Sequence, residues 1–162
     1  MSARRAAVRA PHSIRLELQR RVRAWSPARR DLAHWIGAAL GRGGRGRELG
    51  IATVGEAESA RLNARFRGRD RPTNVLSFPP ARQPRTAGLP PALGELVICP
   101  GVLKAEARAQ AKTLRAHWAH LVVHGTLHLL GYDHERAADA RRMERREISV
   151  LRRLGFPNPY RS

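Results

Sequence analysis

His124, His128 and His134 are spaced as the ligands of one metal ion would be. In a helix, residues four apart lie on one face a turn apart, so the imidazoles of His124 and His128 can grip a single ion. Gly131 follows three residues after His128. Glycine is the usual residue for ending a helix in the left-handed conformation, and the reversal it permits can return His134 to the same ion. Three neutral nitrogens suit one Zn2+, although imidazole also suits nickel, copper and iron. Three protein ligands leave the fourth tetrahedral position open, which is the arrangement of catalytic zinc. Metal-bound water has its pKa lowered to about 7, and the ion stabilises charge on a carbonyl or phosphoryl oxygen, so hydrolysis is the expected reaction class.

The spacing HxxxHxxGxxH is that of the metzincin proteases, whose pattern carries Glu directly after the first His as general base. Here that residue is Gly125, so the cage is kept and the peptidase base is missing. His117 and His120 share the face of His124 on a continuous helix. His120 repeats the ligand spacing, but the Gly131 turn favours the downstream trio, which leaves His120 to packing or to hydrogen bonding behind a ligand. Asp133 has two readings, orienting a ligand histidine or capping the next helix. Met143 is expected in the core rather than in a turn beneath the metal.

Composition adds a second signal. Lys plus Arg number 31 against 13 Asp plus Glu, a formal charge of +18, and only Lys104 and Lys112 are lysines. Arginine binds phosphates through a planar fork and stacks on bases, so a polyanionic partner such as nucleic acid is favoured over a neutral metabolite. No run approaches 18 apolar residues, so no membrane span is expected. The single cysteine, Cys99, sits in an apolar run and reads as a small core residue. A reducing, cytoplasmic setting and a monomer are the expectations. Residues 1–13, with Arg4, Arg5 and Arg9 and no acid before Glu17, read as a basic disordered arm, and 14–160 as one domain.

The elements that must position the histidines follow from periodicity. Ile14, Leu16 and Leu18 alternate with polar residues and predict an opening strand. Ser26-Pro27 predicts a cap and first turn of a helix carrying Leu32, Trp35, Ile36 and Leu40 on its apolar side. Residues 41–47 predict a loop, 49–54 a strand, and 56–66 a helix with Ala60, Asn63 and Phe66 near one side. A polar loop from Arg67 then leads to a short strand at 75–78, and 80–92 predict a mobile connection. After a strand at 96–99, the helical pattern of 102–130 would be about 44 Å long unbroken, so a break near Lys112-Thr113 is expected. A last helix over 137–154 points Met143, Ile148, Leu151 and Leu154 inward. The fold class is α+β: a small mixed sheet of about four strands packed with about five helices, with the metal site at a helix and its following turn.

Three blocks carry a family resemblance: NARFRGRDRPTNVLSFP at 63–79, LGELVIC at 93–99, and 117–134 with the GFPNPY tail at 155–160. The chain resembles the bacterial YbeY endoribonucleases. It departs from their pattern at Glu95, where Asp is usual, at Phe66, where Tyr is frequent, and at Arg69, where Lys is frequent. The resemblance implies that His124, His128 and His134 hold zinc and that Arg67 is the important arginine beside the metal. It also implies cleavage of single-stranded RNA in ribosomal RNA maturation, late small-subunit processing and ribosome quality control. A cationic fork beside an open metal suits phosphodiester displacement, because charge grows on the phosphoryl oxygens in the transition state. Either water or the RNA 2′-hydroxyl can be the nucleophile. The rival readings are an RNA-binding assembly factor with a structural zinc, and a metallopeptidase or other metallohydrolase.

Overall fold

The computed structural model describes residues 14–44, 46–80 and 92–161. The basic arm expected at 1–13 and nearly all of the 80–92 connection lie outside the described residues. The elements run β1 (Arg15–Arg20), α1 (Arg29–Leu40), a 3-10 turn (Gly41–Gly44), β2 (Glu48–Thr53), α2 (Glu56–Arg67), β3 (Val75–Phe78), β4 (Gly94–Ile98), α3 (Pro100–Ala109), α4 (Leu114–Leu129) and α5 (Ala137–Arg153). The sheet order is β1-β2-β4-β3. β1, β2 and β4 are parallel, and β3 closes one edge antiparallel to β4. This is the expected single α+β domain with a four-stranded mixed sheet and, among the described residues, five α-helices.

One face of the sheet presents Leu49, Ile51, Leu96 and Ile98 to α1 and α4, forming the main core with Leu32, Trp35 and Trp118. On the other face α2 lays Leu62 against Val54, Leu76 and Val97. α4 is the central helix, touching α1, α3, α5, β3 and β4. Its buried residues, from His117 to Leu127, cover most of its circumference and leave the face of His120, His124 and His128 partly open.

The break between α3 and α4 falls where the sequence places it. Ala111 takes a left-handed φ of 52°, and the Thr113 hydroxyl accepts the Ala116 N–H at 3.1 Å to cap α4. Two expectations need correction. Ser26 does not cap α1, which starts at Arg29 after Ala28. Its hydroxyl instead accepts Arg20 Nε at 3.0 Å, while Arg20 Nη2 holds the Pro27 carbonyl at 3.1 Å, so the segment is tied to β1 before it can turn helical. Residues 41–47 are not wholly irregular, since the first four form the 3-10 turn. On α2 the buried side is polar: Ser59 and Asn63 are enclosed, while Phe66 is 55% exposed.

Those polar residues on α2 shape the loop that follows. Ser59 Oγ bridges the N–H and carbonyl of Thr73, at 3.0 and 3.1 Å, and Asn63 Nδ2 donates to the Arg71 carbonyl at 2.8 Å. Gly68, left-handed at φ 68°, ends the helix directly after Arg67. Arg67 is thereby fixed at the last position of α2, with the loop folded back beneath it.

Candidate metal centre

α4 approaches the sheet closely at one point. A Cβ on Gly125 would stand 2.8 Å from Leu96 Cδ2 and 3.3 Å from Val75 Cγ2, so only glycine fits without displacing the core. Ser77 Oγ on β3 donates to the Gly125 carbonyl at 3.2 Å and fixes the helix against the edge strand. Gly125 therefore faces the sheet, while the His124 ring turns to Glu147 on α5 and to His128.

The end of α4 is a Schellman turn: Gly131 N–H donates to the His128 carbonyl at 3.0 Å, and Tyr132 N–H to that of Leu127 at 3.1 Å. Gly131 takes φ 97°, as the reversal needs. Asp133 Oδ1 then accepts the backbone N–H of His134 at 2.6 Å and of Glu135 at 3.1 Å. Asp133 thus neither touches an imidazole nor caps α5, whose N-cap is Arg136. It holds the backbone that carries His134. Nothing lies within 4 Å of a Cβ on Gly131, so Gly131→Ala would act through the backbone alone. We expect it to destabilise the protein by about 1–2 kcal/mol and to weaken metal binding by shifting His134. A denaturant melt and a metal titration on the same sample check both.

The result is a cluster of three nitrogens. His128 Nε2 lies 3.1 Å from His124 Nε2 and 3.1 Å from His134 Nδ1, with the ligand atoms of the trio all within 4.8 Å of one another. Tetrahedral zinc with Zn–N bonds of about 2.0–2.1 Å separates its nitrogens by roughly 3.3 Å, so the cluster is already near coordination spacing. Burial first, then the neighbouring histidines, push the His128 pKa down to about 4, with Arg67 also lowering it. His128 is accordingly neutral at pH 7, the form that binds a metal. Arg67 itself is exposed, yet its charge is felt at His128.

Behind His124 sits a residue that the sequence reading missed. Glu147 is 0% exposed on the inner face of α5, between Met143 and Val150. Its Oε2 accepts His120 Nε2 at 3.1 Å and the Tyr160 hydroxyl, and its Oε1 accepts His124 Nδ1. Burial by itself would raise the Glu147 carboxyl; the hydrogen bonds from His120, His124 and Tyr160 overcome that and hold it at about 2. The Tyr160 phenol is pushed up, by burial and then by Glu147. His120 thus hydrogen-bonds the same carboxylate that holds His124. It also lines a 640 Å³ cavity with Tyr160, Phe156, Lys112 and Thr113. Met143 is in the core, as expected.

The fold and the cluster together define a class: an α+β protein with a helix-and-turn histidine site able to hold a metal ion. Comparison with known proteins narrows it. The model of the endoribonuclease YbeY family matches residues 23–155. The endoribonuclease YbeY of Alkalilimnicola ehrlichii is 49% identical over 160 residues, covering 96% of this chain and 96% of that one. The chain belongs to the endoribonuclease YbeY family. The solution structure of the TM1509 protein from Thermotoga maritima, 24% identical, covers 93% of this chain and 100% of its own with a TM-score of 0.54, and so shares the fold. No helix among the described residues is long and apolar enough to cross a membrane.

Proposed function

We propose that this protein is a metal-dependent endoribonuclease that cuts single-stranded RNA during ribosomal RNA maturation, acting on small-subunit precursors. His124, His128 and His134 hold one zinc ion, and Arg67 is the catalytic arginine. The observation that carries this reading is the convergence of the His124, His128 and His134 nitrogens, with the Arg67 charge felt at His128, in a chain of this family. Bound zinc would supply Lewis-acid stabilisation of charge on a phosphoryl oxygen. The Arg67 guanidinium orients and neutralises the same phosphate through its planar fork. The +18 chain concentrates a polyanion around the site, so RNA binding should weaken steeply with salt.

One observation favours a second reading, an RNA-binding assembly factor with a structural zinc. Gly125 leaves no carboxylate beside His124, and Glu147 is enclosed and fully engaged by three donors. The test compares zinc-loaded protein, metal-stripped protein and Arg67→Ala on structured ribosomal RNA, with every cut end mapped. Cleavage should require the metal, and Arg67→Ala should lower it about 100-fold or more while RNA binding is largely kept. Equal cutting by all three would defeat the proposal. Ends bearing 2′,3′-cyclic phosphate would assign attack to the RNA 2′-hydroxyl, and 5′-phosphate with 3′-hydroxyl ends would assign it to water.

A further inference from the structure

We infer that Glu147 is the positioning residue of the histidine trio, holding the His124 ring in the one tautomer and orientation that aim its Nε2 at the ion. The inference rests on the reading of the trio as a metal site. A wholly buried carboxylate on the inner face of a helix is costly to enclose, and an apolar residue of similar volume would fill the space between Met143 and Val150 without that cost. Packing alone therefore does not account for an acid at 147. The hydrogen bonds do. Oε1 takes the Nδ1–H of His124, which leaves the lone pair on Nε2, the atom 3.1 Å from His128 Nε2. A carboxylate on the far nitrogen of a metal-binding imidazole fixes the ring and makes it a stronger ligand.

Glu147 is held in turn. His120 Nδ1 is buried with no hydrogen-bond partner, so the ring proton sits on Nε2 and is donated to Oε2 at 3.1 Å. The Tyr160 hydroxyl donates to the same oxygen, and the Tyr160 ring stands edge-on to His120 at 5.4 Å. Lys112 Nζ binds the Pro159 carbonyl at 2.5 Å and ties the tail in place. The chain from Tyr160 through Glu147 to His124 thus links the segment after α5 to the trio.

The test uses the full chain as wild type, Glu147→Gln, Tyr160→Phe and His128→Ala. Zinc affinity is measured against a chromophoric chelator, the visible spectrum is recorded with Co2+ as a probe of ligand geometry, and folding is followed by circular dichroism. Folded Glu147→Gln should bind zinc about 10- to 100-fold more weakly, with a displaced Co2+ spectrum that a purely structural role would not produce. Tyr160→Phe should lose about fivefold. Wild-type affinity and spectrum in folded Glu147→Gln would overturn the inference. If that variant does not fold, unchanged affinity in Tyr160→Phe overturns it. A wild type holding two ions, one of them lost in Glu147→Gln, would make Glu147 a ligand and also overturn it. Equal zinc binding by wild type and His128→Ala would instead remove the metal site on which the inference stands.

Discussion

His128→Ala should lose zinc affinity by more than about 100-fold, since removal of an orienting partner alone costs 10- to 100-fold, and RNA cleavage should fall with it. His128 is the hinge of the cluster: its Nε2 is the atom 3.1 Å from each of the other two nitrogens. Without it, His124 on α4 and His134 beyond the turn have no common neighbour, and two ligands hold an ion poorly. The metal-free fold should be little changed, because His128 is only partly buried at the end of α4. RNA binding at low salt should also survive, since it rests on the arginine surface. Zinc titration, a cleavage assay and a filter-binding measurement on one preparation check the three statements. Undiminished zinc affinity in the folded variant would sink the assignment of the trio.

The second large effect is on stability. Gly125→Glu would place the metzincin base at its usual position in the motif, yet we expect it to unfold the protein rather than create a peptidase. The new Cβ alone meets Leu96, 0% exposed, at 2.8 Å. Such overpacking costs about 1–3 kcal/mol, and an unpaired carboxylate buried behind it adds about 3–5 kcal/mol. The sum approaches the whole stability of a small domain. Gly125→Ala isolates the first part. Urea melts of the two variants check the ordering, and a Gly125→Glu protein as stable as wild type would show that α4 can move off the sheet.

That residue also shows where sequence reasoning stops. Read along the chain, Gly125 registers as a missing base; only the distance to Leu96 shows that a Cβ there points into the sheet. The Gly131 turn was legible because a Schellman ending is local, written in residues 127–132. The α3–α4 break was legible through length, since an unbroken helix over 102–130 would overrun a domain of this size. Ser26 failed as a cap because an arginine from β1 reached its hydroxyl first, a contact that local preference does not encode. Glu147 escapes a reading built on apolar residues, although it shares the 143–147–150–151 spacing of the buried side of α5. An acid on an apolar stripe was the available signal. Its partners lie 13, 23 and 27 residues away, in elements whose packing no spacing rule predicts.

His124 addresses the trio with one nitrogen and Glu147 with the other, so two equilibria share a single ring. Thermodynamic linkage then makes their coupling reciprocal: whatever free energy the docked tail adds to metal affinity, the metal returns to the docking of the tail. Amide hydrogen exchange at Tyr160 and Arg161 should therefore slow on zinc addition. The tail would serve as a gauge of what occupies the site, read from a segment that touches no ligand nitrogen.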